Sequence, residues 1–250
     1  MTAPHTFRSG LEALRAAQKP ARGTAAYSRL VNRPTGRVVA AAVNTIGMRP
    51  NQATAISAAM SGAAIVLVAV ATPSVWIGFL VAVLLAGGYV MDSVDGQLAR
   101  LRGGGSKNGE WLDHTVDTVK TATIHLAVLI SWYRHPVADS DAVLLIPIGF
   151  EVVAMVTYFG LILMPTLRPP GAYGSTLNEG ARENPLRKYL ILPMDYGVLC
   201  WSFVLLGWSH VFLGVYAFLF VASAAALAAA LLKWWRETLA IDAAARDGAV

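Results

Sequence analysis

Asp92 and Asp95 stand three residues apart in MDSVDGQLARL, and Asp113 and Asp117 stand four apart in GEWLDHTVDTVK. On a helix, these spacings place each pair on one face. Both stretches adjoin long apolar runs, and carboxylates at membrane depth are costly to bury and repel one another unless something compensates them. Divalent metal is the simplest compensation, two ions balancing four carboxylates, and all-oxygen ligation favours Mg2+ or Mn2+ over zinc. Two such ions can clamp the attacking and leaving oxygens of a phosphoryl displacement. Around them Gly96 and Gly109 leave out side chains, Ala99 is small, and Arg100 adds a planar cation suited to a pyrophosphate.

Bringing the two pairs together requires two helix ends to meet. The chain has 250 residues, 56% hydrophobic and only 14% charged, with a mean hydropathy of +0.53. Soluble domains carry about 25% charged residues, so this is the composition of a membrane protein. A hydrocarbon core of about 30 Å takes about 20 apolar residues per helix. Six segments meet that need: 53–72, 75–98, 110–133, 141–165, 189–207 and 210–233. The expected fold is an all-α integral membrane bundle of six transmembrane helices. Span two ends in the first aspartate pair and span three begins with the second, so the LRGGGSKN joint makes these helices antiparallel neighbours.

The joints after spans one, three and five contain a single Arg or Lys, Arg134, while the opposite side collects Arg29, Arg33, Arg37, Arg49, Arg102, Lys107 and the 168–188 cations. The positive-inside rule therefore puts both termini and the aspartates on the cytoplasmic side. Trp76, Trp132, Tyr133, Trp208, Trp234 and Trp235 fall near span ends, where aromatic rings anchor in the head-group layer. Residues 27–47 mix arginines with apolar residues and are too polar to span, which predicts an amphipathic surface helix. The domain reading is residues 1–48 as a cytoplasmic segment with that helix, 49–236 as the membrane domain and 237–250 as a cytoplasmic tail. The first twenty-five residues lack a continuous apolar core, which argues against a cleavable secretory signal.

The pattern Asp92-x2-Asp95-Gly96-x2-Ala99-Arg100-x8-Gly109-x3-Asp113-x3-Asp117 resembles the signature of the CDP-alcohol phosphotransferase family, with every fixed position kept. RPNQAT at 49–54 is similar to that family's lead into its first span, and the six spans and surface helix match its plan. The resemblance implies transfer of a phosphoryl-linked group from a CDP-alcohol to the hydroxyl of a second alcohol, with release of CMP. It makes Asp92, Asp95, Asp113 and Asp117 ligands of two divalent cations, Mg2+ or Mn2+, with Asp113 reaching both. Asp117 is also implied as the general base, and such a base beside a metal-bound alcohol is chemically sensible. Gly96, Ala99, Arg100 and Gly109 are assigned to the CDP pocket, with Asn51 and Thr54 lining it. A homodimer is the family's usual assembly.

CDP-diacylglycerol as donor would keep its tails in lipid while a polar acceptor entered from the cytoplasm near the loop between spans four and five. Arg168, Arg182, Arg187 and Lys188 lie there, in the region where family members with phosphorylated acceptors such as inositol phosphate or glycerol phosphate place basic residues. Positive-inside retention explains the same charges. Lys120 shares a helix face with Asp117 and either offsets the acidic cluster or touches an acceptor phosphate. His114 in GEWLDH is similar to the choline and ethanolamine phosphotransferase branch, which uses a CDP-aminoalcohol donor and diacylglycerol as acceptor, and keeps that alternative open. Glu151 reads as structural, and Asp195 as within reach of the site.

Other classes fit less well. The net charge of +5 is spread over span ends and not gathered into an aromatic-studded patch, which excludes nucleic acid and favours anionic head groups and phosphorylated substrates. A cation transporter would need acidic residues along a route across the membrane, and these cluster at one face. A catalytically dead scaffold would show losses in the motif. The single cysteine, Cys200, rules out an intramolecular disulfide and reads as a buried hydrophobe.

Overall fold

The computed structural model describes residues 6–17, 25–169 and 192–247. These fold into helices without strands. The helices are α1 (Phe7–Ala16), α2 (Arg33–Thr45), α3 (Pro50–Val70), α4 (Val75–Leu101), α5 (Lys107–Arg134), α6 (Leu145–Leu167), α7 (Tyr196–Ser202) and α8 (Ser209–Asp247). A π turn, Ser28–Asn32, leads into α2, and a 3₁₀ segment, Phe203–Gly207, continues α7.

Local chemistry sets the starts of these helices. Pro50 opens α3 in the first turn, where its missing N–H costs nothing, and the Gln52 side chain accepts from the Arg49 N–H at 2.8 Å. Ser74 caps α4 by accepting from the Ile77 N–H, and Ser106 caps α5 by accepting from the Gly109 N–H at 3.0 Å. Asp195 caps α7 through the Gly197 N–H at 2.9 Å, and its other oxygen accepts from the Ser28 N–H at 2.8 Å. Asp195 is therefore a clasp between the N-terminal segment and α7. Both of its oxygens are engaged with backbone, which corrects its reading as a residue reaching the site.

Four helical segments are long and apolar enough to cross a membrane: Pro50–Val70, Val75–Leu101, Asp141–Leu167 and Ser209–Arg246. The outward faces are apolar as well. Val66, Phe79, Val152, Phe159, Phe218 and Val221 are each more than half exposed, a surface suited to lipid and not to water. At the other two expected spans, α5 has 28 residues but carries Glu110, Asp113, Asp117 and Lys120. Of the fifth, residues 192–207 are described, and their apolar helical stretch is the short Tyr196–Gly207.

Inside, α3 packs along α4 and α5, α5 against α6, and α6 against α8. The core gathers Val68, Val81, Leu85, Ile124, Val128, Phe203, Phe212 and Tyr216. His125 is buried there as a satisfied polar group, its Nδ1 2.6 Å from the Tyr216 hydroxyl and its ring stacked on Phe150. Trp132 joins this cluster at 2% exposure, so it is a core residue and not a head-group anchor. Trp234 is half-buried with its ring against Gly160, whereas Trp76, Tyr133, Trp208 and Trp235 are exposed. Arg134 donates to the Ala69 and Val70 carbonyls at 2.8 and 3.0 Å, satisfying the open end of α3.

The N-terminal helices belong to the same body. Leu14 of α1 and Ala40 and Ala41 of α2 are buried with Ala53, Val94 and Leu98. Gly36 lets α2 approach α4: a Cβ there would meet the Ser93 Oγ at 2.7 Å. The Asn32 side-chain amide donates to the Tyr89 carbonyl at 3.2 Å. At the other end of the chain, α8 runs without a break through residue 237, and Glu237 holds Arg168 in a two-point ion pair at 2.6 and 3.3 Å.

At Gly88 α3 comes close to α4: a Cβ there would lie 2.5 Å from the Ser61 Oγ and 3.2 Å from the Ser57 carbonyl oxygen, and the Ser57 hydroxyl donates to the Gly88 carbonyl at 2.8 Å. Gly88→Val should force the two helices apart and cost about 1–3 kcal/mol, measurable as a lowered unfolding temperature in detergent.

Candidate active site

Between α4 and α5 the chain reverses over Arg102–Ser106, where Gly103 and Gly104 adopt φ of 88° and 134°. Side chains other than glycine resist that region, so these two residues make the tight return possible. The return turns α5 back antiparallel to α4; both pack along α3 and scarcely against each other, so their carboxylates meet across the space between them. One oxygen from each of Asp92, Asp113 and Asp117 can then lie within 4.8 Å of the others.

Asp95 is only 8% exposed and turned differently. Its Oδ2 accepts from the Thr54 hydroxyl of α3 at 2.7 Å, and its Oδ1 accepts from the Gly96 N–H. Three of the four expected carboxylates thus converge while the fourth is anchored by α3. Thr54 is the anchor. Asn51, one turn earlier in α3, brings its Oδ1 within 3.3 Å of where a Cβ on Gly109 would sit, so Gly109 makes room where α3 and α5 begin side by side. Arg102 donates to the Met48 carbonyl at 2.6 Å and the Gly47 carbonyl at 3.3 Å, pinning the lead into α3 to the end of α4.

Arg100 folds back past Gly96, with one terminal guanidinium nitrogen 3.6 Å from the position a Cβ would take there. Its Nε is buried without a hydrogen-bond partner among the described residues. Ala99 is half-buried and its carbonyl accepts from the Arg102 and Gly104 N–H groups.

Lys120 lies within the acidic cluster. It is 8% exposed, and its Nζ lies 2.7 Å from Asp92 Oδ1 and 2.5 Å from Asp117 Oδ1. The ammonium offsets the cluster directly. His114 is exposed and tied in through its backbone, its carbonyl accepting from the hydroxyls of Thr118 at 2.7 Å and Tyr158 at 2.9 Å. Arg168 is occupied by Glu237, and Arg182, Arg187 and Lys188 lie outside the described residues. Tyr158 of α6 and Glu237 of α8 were not singled out from the sequence. They act 44 and 69 residues from their partners, so no local spacing announces them.

The three converging carboxylates suit a hard divalent cation: all donors are oxygen, they come from two rigid helices, and they are partly shielded from water. The neighbouring Lys120 shows the same local demand for positive charge.

The family model for CDP-alcohol phosphatidyltransferase matches residues 48–235, from the lead into α3 to well along α8. Phosphatidylinositol phosphate synthase of Corynebacterium glutamicum is 29% identical over 141 residues, 55% of this chain and 58% of that protein, so the match spans less than two thirds of the relative. The crystal structure of Mycobacterium tuberculosis phosphatidylinositol phosphate synthase with CDP-DAG bound superposes with a TM-score of 0.53 at 21% identity, covering 82% of this chain and 94% of that one. That likeness shows a shared fold. The extent of the family match, which contains the whole aspartate motif, is decisive: the chain belongs to the CDP-alcohol phosphatidyltransferase family.

Proposed function

We propose that the protein moves a phosphatidyl group from CDP-diacylglycerol to the hydroxyl of a polar alcohol phosphate, with inositol phosphate as the first candidate, and releases CMP. The observation that carries this reading is the convergence of Asp92, Asp113 and Asp117 from the facing ends of α4 and α5, inside an unbroken family motif. The relatives named above support inositol phosphate as acceptor and CDP-diacylglycerol as donor.

Asp92, Asp113 and Asp117, joined by Asp95, are the residues to hold two divalent cations. Bound there, Mg2+ or Mn2+ would neutralise the pyrophosphate and the charge that develops on its leaving oxygen. Arg100, lying over Gly96, is placed to take a phosphate oxygen through its guanidinium. Gly96, Ala99 and Gly109 leave space for the nucleotide, and Asn51 borders it. Asp117 accepts the proton of the acceptor hydroxyl. The acceptor oxygen forms a bond to the β-phosphorus, the bond from that phosphorus to the bridging oxygen breaks, and CMP departs with the bond's electrons. The acceptor phosphate is assigned to Arg182, Arg187 and Lys188, since Arg168 is held by Glu237.

In this reading α5 and the segment containing α7 complete six spans, and α2 lies at the cytoplasmic membrane surface with both termini on that side. The N-terminal segment, the membrane domain from residue 49 and a homodimeric assembly are part of the same proposal.

Purified protein supplied with Mg2+ or Mn2+, CDP-diacylglycerol and a panel of alcohols should release CMP fastest with inositol phosphate; no release with any alcohol would overturn the proposal. Asp117→Asn should lower the rate by about 100- to 10,000-fold, the usual worth of a general base. Thr54→Val removes the hydroxyl that orients Asp95 and should lower activity about 10- to 100-fold, as loss of a ligand's supporting hydrogen bond commonly does. An unchanged rate in the Thr54 variant would remove Asp95 from the site.

A further inference from the structure

Asp92 of α4 and Asp113 and Asp117 of α5 reach toward one another from helices that pack on α3 and scarcely on each other, and three converging carboxylates repel unless something positive stands between them. In α5, Lys120 lies one turn beyond Asp117, and helical side chains lean toward the N-terminus, so its ammonium reaches back over Asp117. It also reaches across the seam to α4. The two contacts, 2.7 Å to Asp92 Oδ1 and 2.5 Å to Asp117 Oδ1, use two of its three donors. The residue is nearly buried, so water shares little of the interaction.

We propose that Lys120 is a resident counter-ion of this site: its ammonium holds Asp92 and Asp117 together before any divalent cation arrives, and competes with that cation for the same two carboxylates. The inference rests on the metal-holding role proposed above for Asp92, Asp113 and Asp117. A lysine suits the task because its charge is compact and its four-carbon stem can swing away, where a planar guanidinium would be held at two points.

Two consequences follow from one side chain. Asp92 and Asp117 are kept together before a divalent ion binds. Its affinity for a free divalent ion is lowered, because each ion must displace or share the lysine's partners, whereas an ion arriving with a nucleotide diphosphate brings compensating negative charge. Lys120 is in this sense a positioning residue that acts through Asp92 and Asp117.

The test compares wild type with Lys120→Met in detergent, titrating Mn2+ with and without CDP and following free Mn2+ by electron paramagnetic resonance. Unfolding temperatures are measured in EDTA and in Mn2+. The variant should bind Mn2+ about tenfold more tightly or better without CDP, since a like charge beside the ion is gone. It should unfold at lower temperature than wild type in EDTA and regain the difference in Mn2+. A purely structural lysine would weaken Mn2+ binding when removed, not strengthen it. Mn2+ binding by the variant that is equal to or weaker than wild type overturns the proposal, as does equal stability in EDTA. If wild type binds no Mn2+ even with CDP, the metal reading of the aspartates fails instead. Should the Met variant not be recovered, Lys120→Gln, which keeps a donor but no charge, carries the same comparison.

Discussion

Negative charge gathered between the facing ends of α4 and α5 is the constraint on which this structure depends. Asp92, Asp113 and Asp117 come together because the glycine return at Gly103 and Gly104 turns α5 back antiparallel to α4 while α3 packs along both. That closeness is unfavourable on its own. Lys120 from within the pair and the Thr54 hydroxyl from α3 relieve it, one by opposite charge and one by donating a hydrogen bond to Asp95. The helices around the site can be understood as what holds those groups in register.

Three regions supply that support. The start of α3 is fixed to the end of α4 by Arg102, which brings Asn51 and Thr54 alongside Gly109 and Asp95. The N-terminal segment is clasped to α7 by Asp195 and to α4 by Asn32, and Gly36 allows the close seam with Ser93. On the far flank of α5, Tyr158 of α6 ties to the His114 carbonyl, between Asp113 and Asp117. Arg102, Asn32 and Tyr158 tie α4 or α5 directly, and Asp195 holds the N-terminal segment to α7, so α4 and α5 are braced from several sides. Such bracing matters because a phosphoryl transfer is catalysed mainly by positioning and electrostatic stabilisation.

Buried polar groups elsewhere follow the same economy. His125 is satisfied by Tyr216 within the aromatic core, and Arg168 by Glu237 near the end of α6. The pairing of Arg168 matters for the site, since a guanidinium held at two points by a carboxylate is not a ready phosphate ligand. Neither pairing is visible from local sequence, because the partners lie 91 and 69 residues away.

Composition and spacing alone determined a great deal here. An apolar, weakly charged chain must form helices whose backbone polar groups are satisfied internally. The three- and four-residue aspartate spacings predicted each pair on one helix face, and a short glycine-rich joint predicted antiparallel neighbours; α5 does turn back along α4, but each of them packs on α3 and scarcely on the other. The motif was legible because it obeys a local period. Tertiary structure decided what depends on contacts between distant segments: that Asp95 turns to Thr54 while the other three converge, that Lys120 bridges Asp92 and Asp117, that Asp195 is a clasp, and that Trp132 is core. The physical reason is that a helix's period fixes which way a residue faces but not what stands opposite it. In an apolar surrounding, the strongest available partner for each charge then determines where that charge comes to rest.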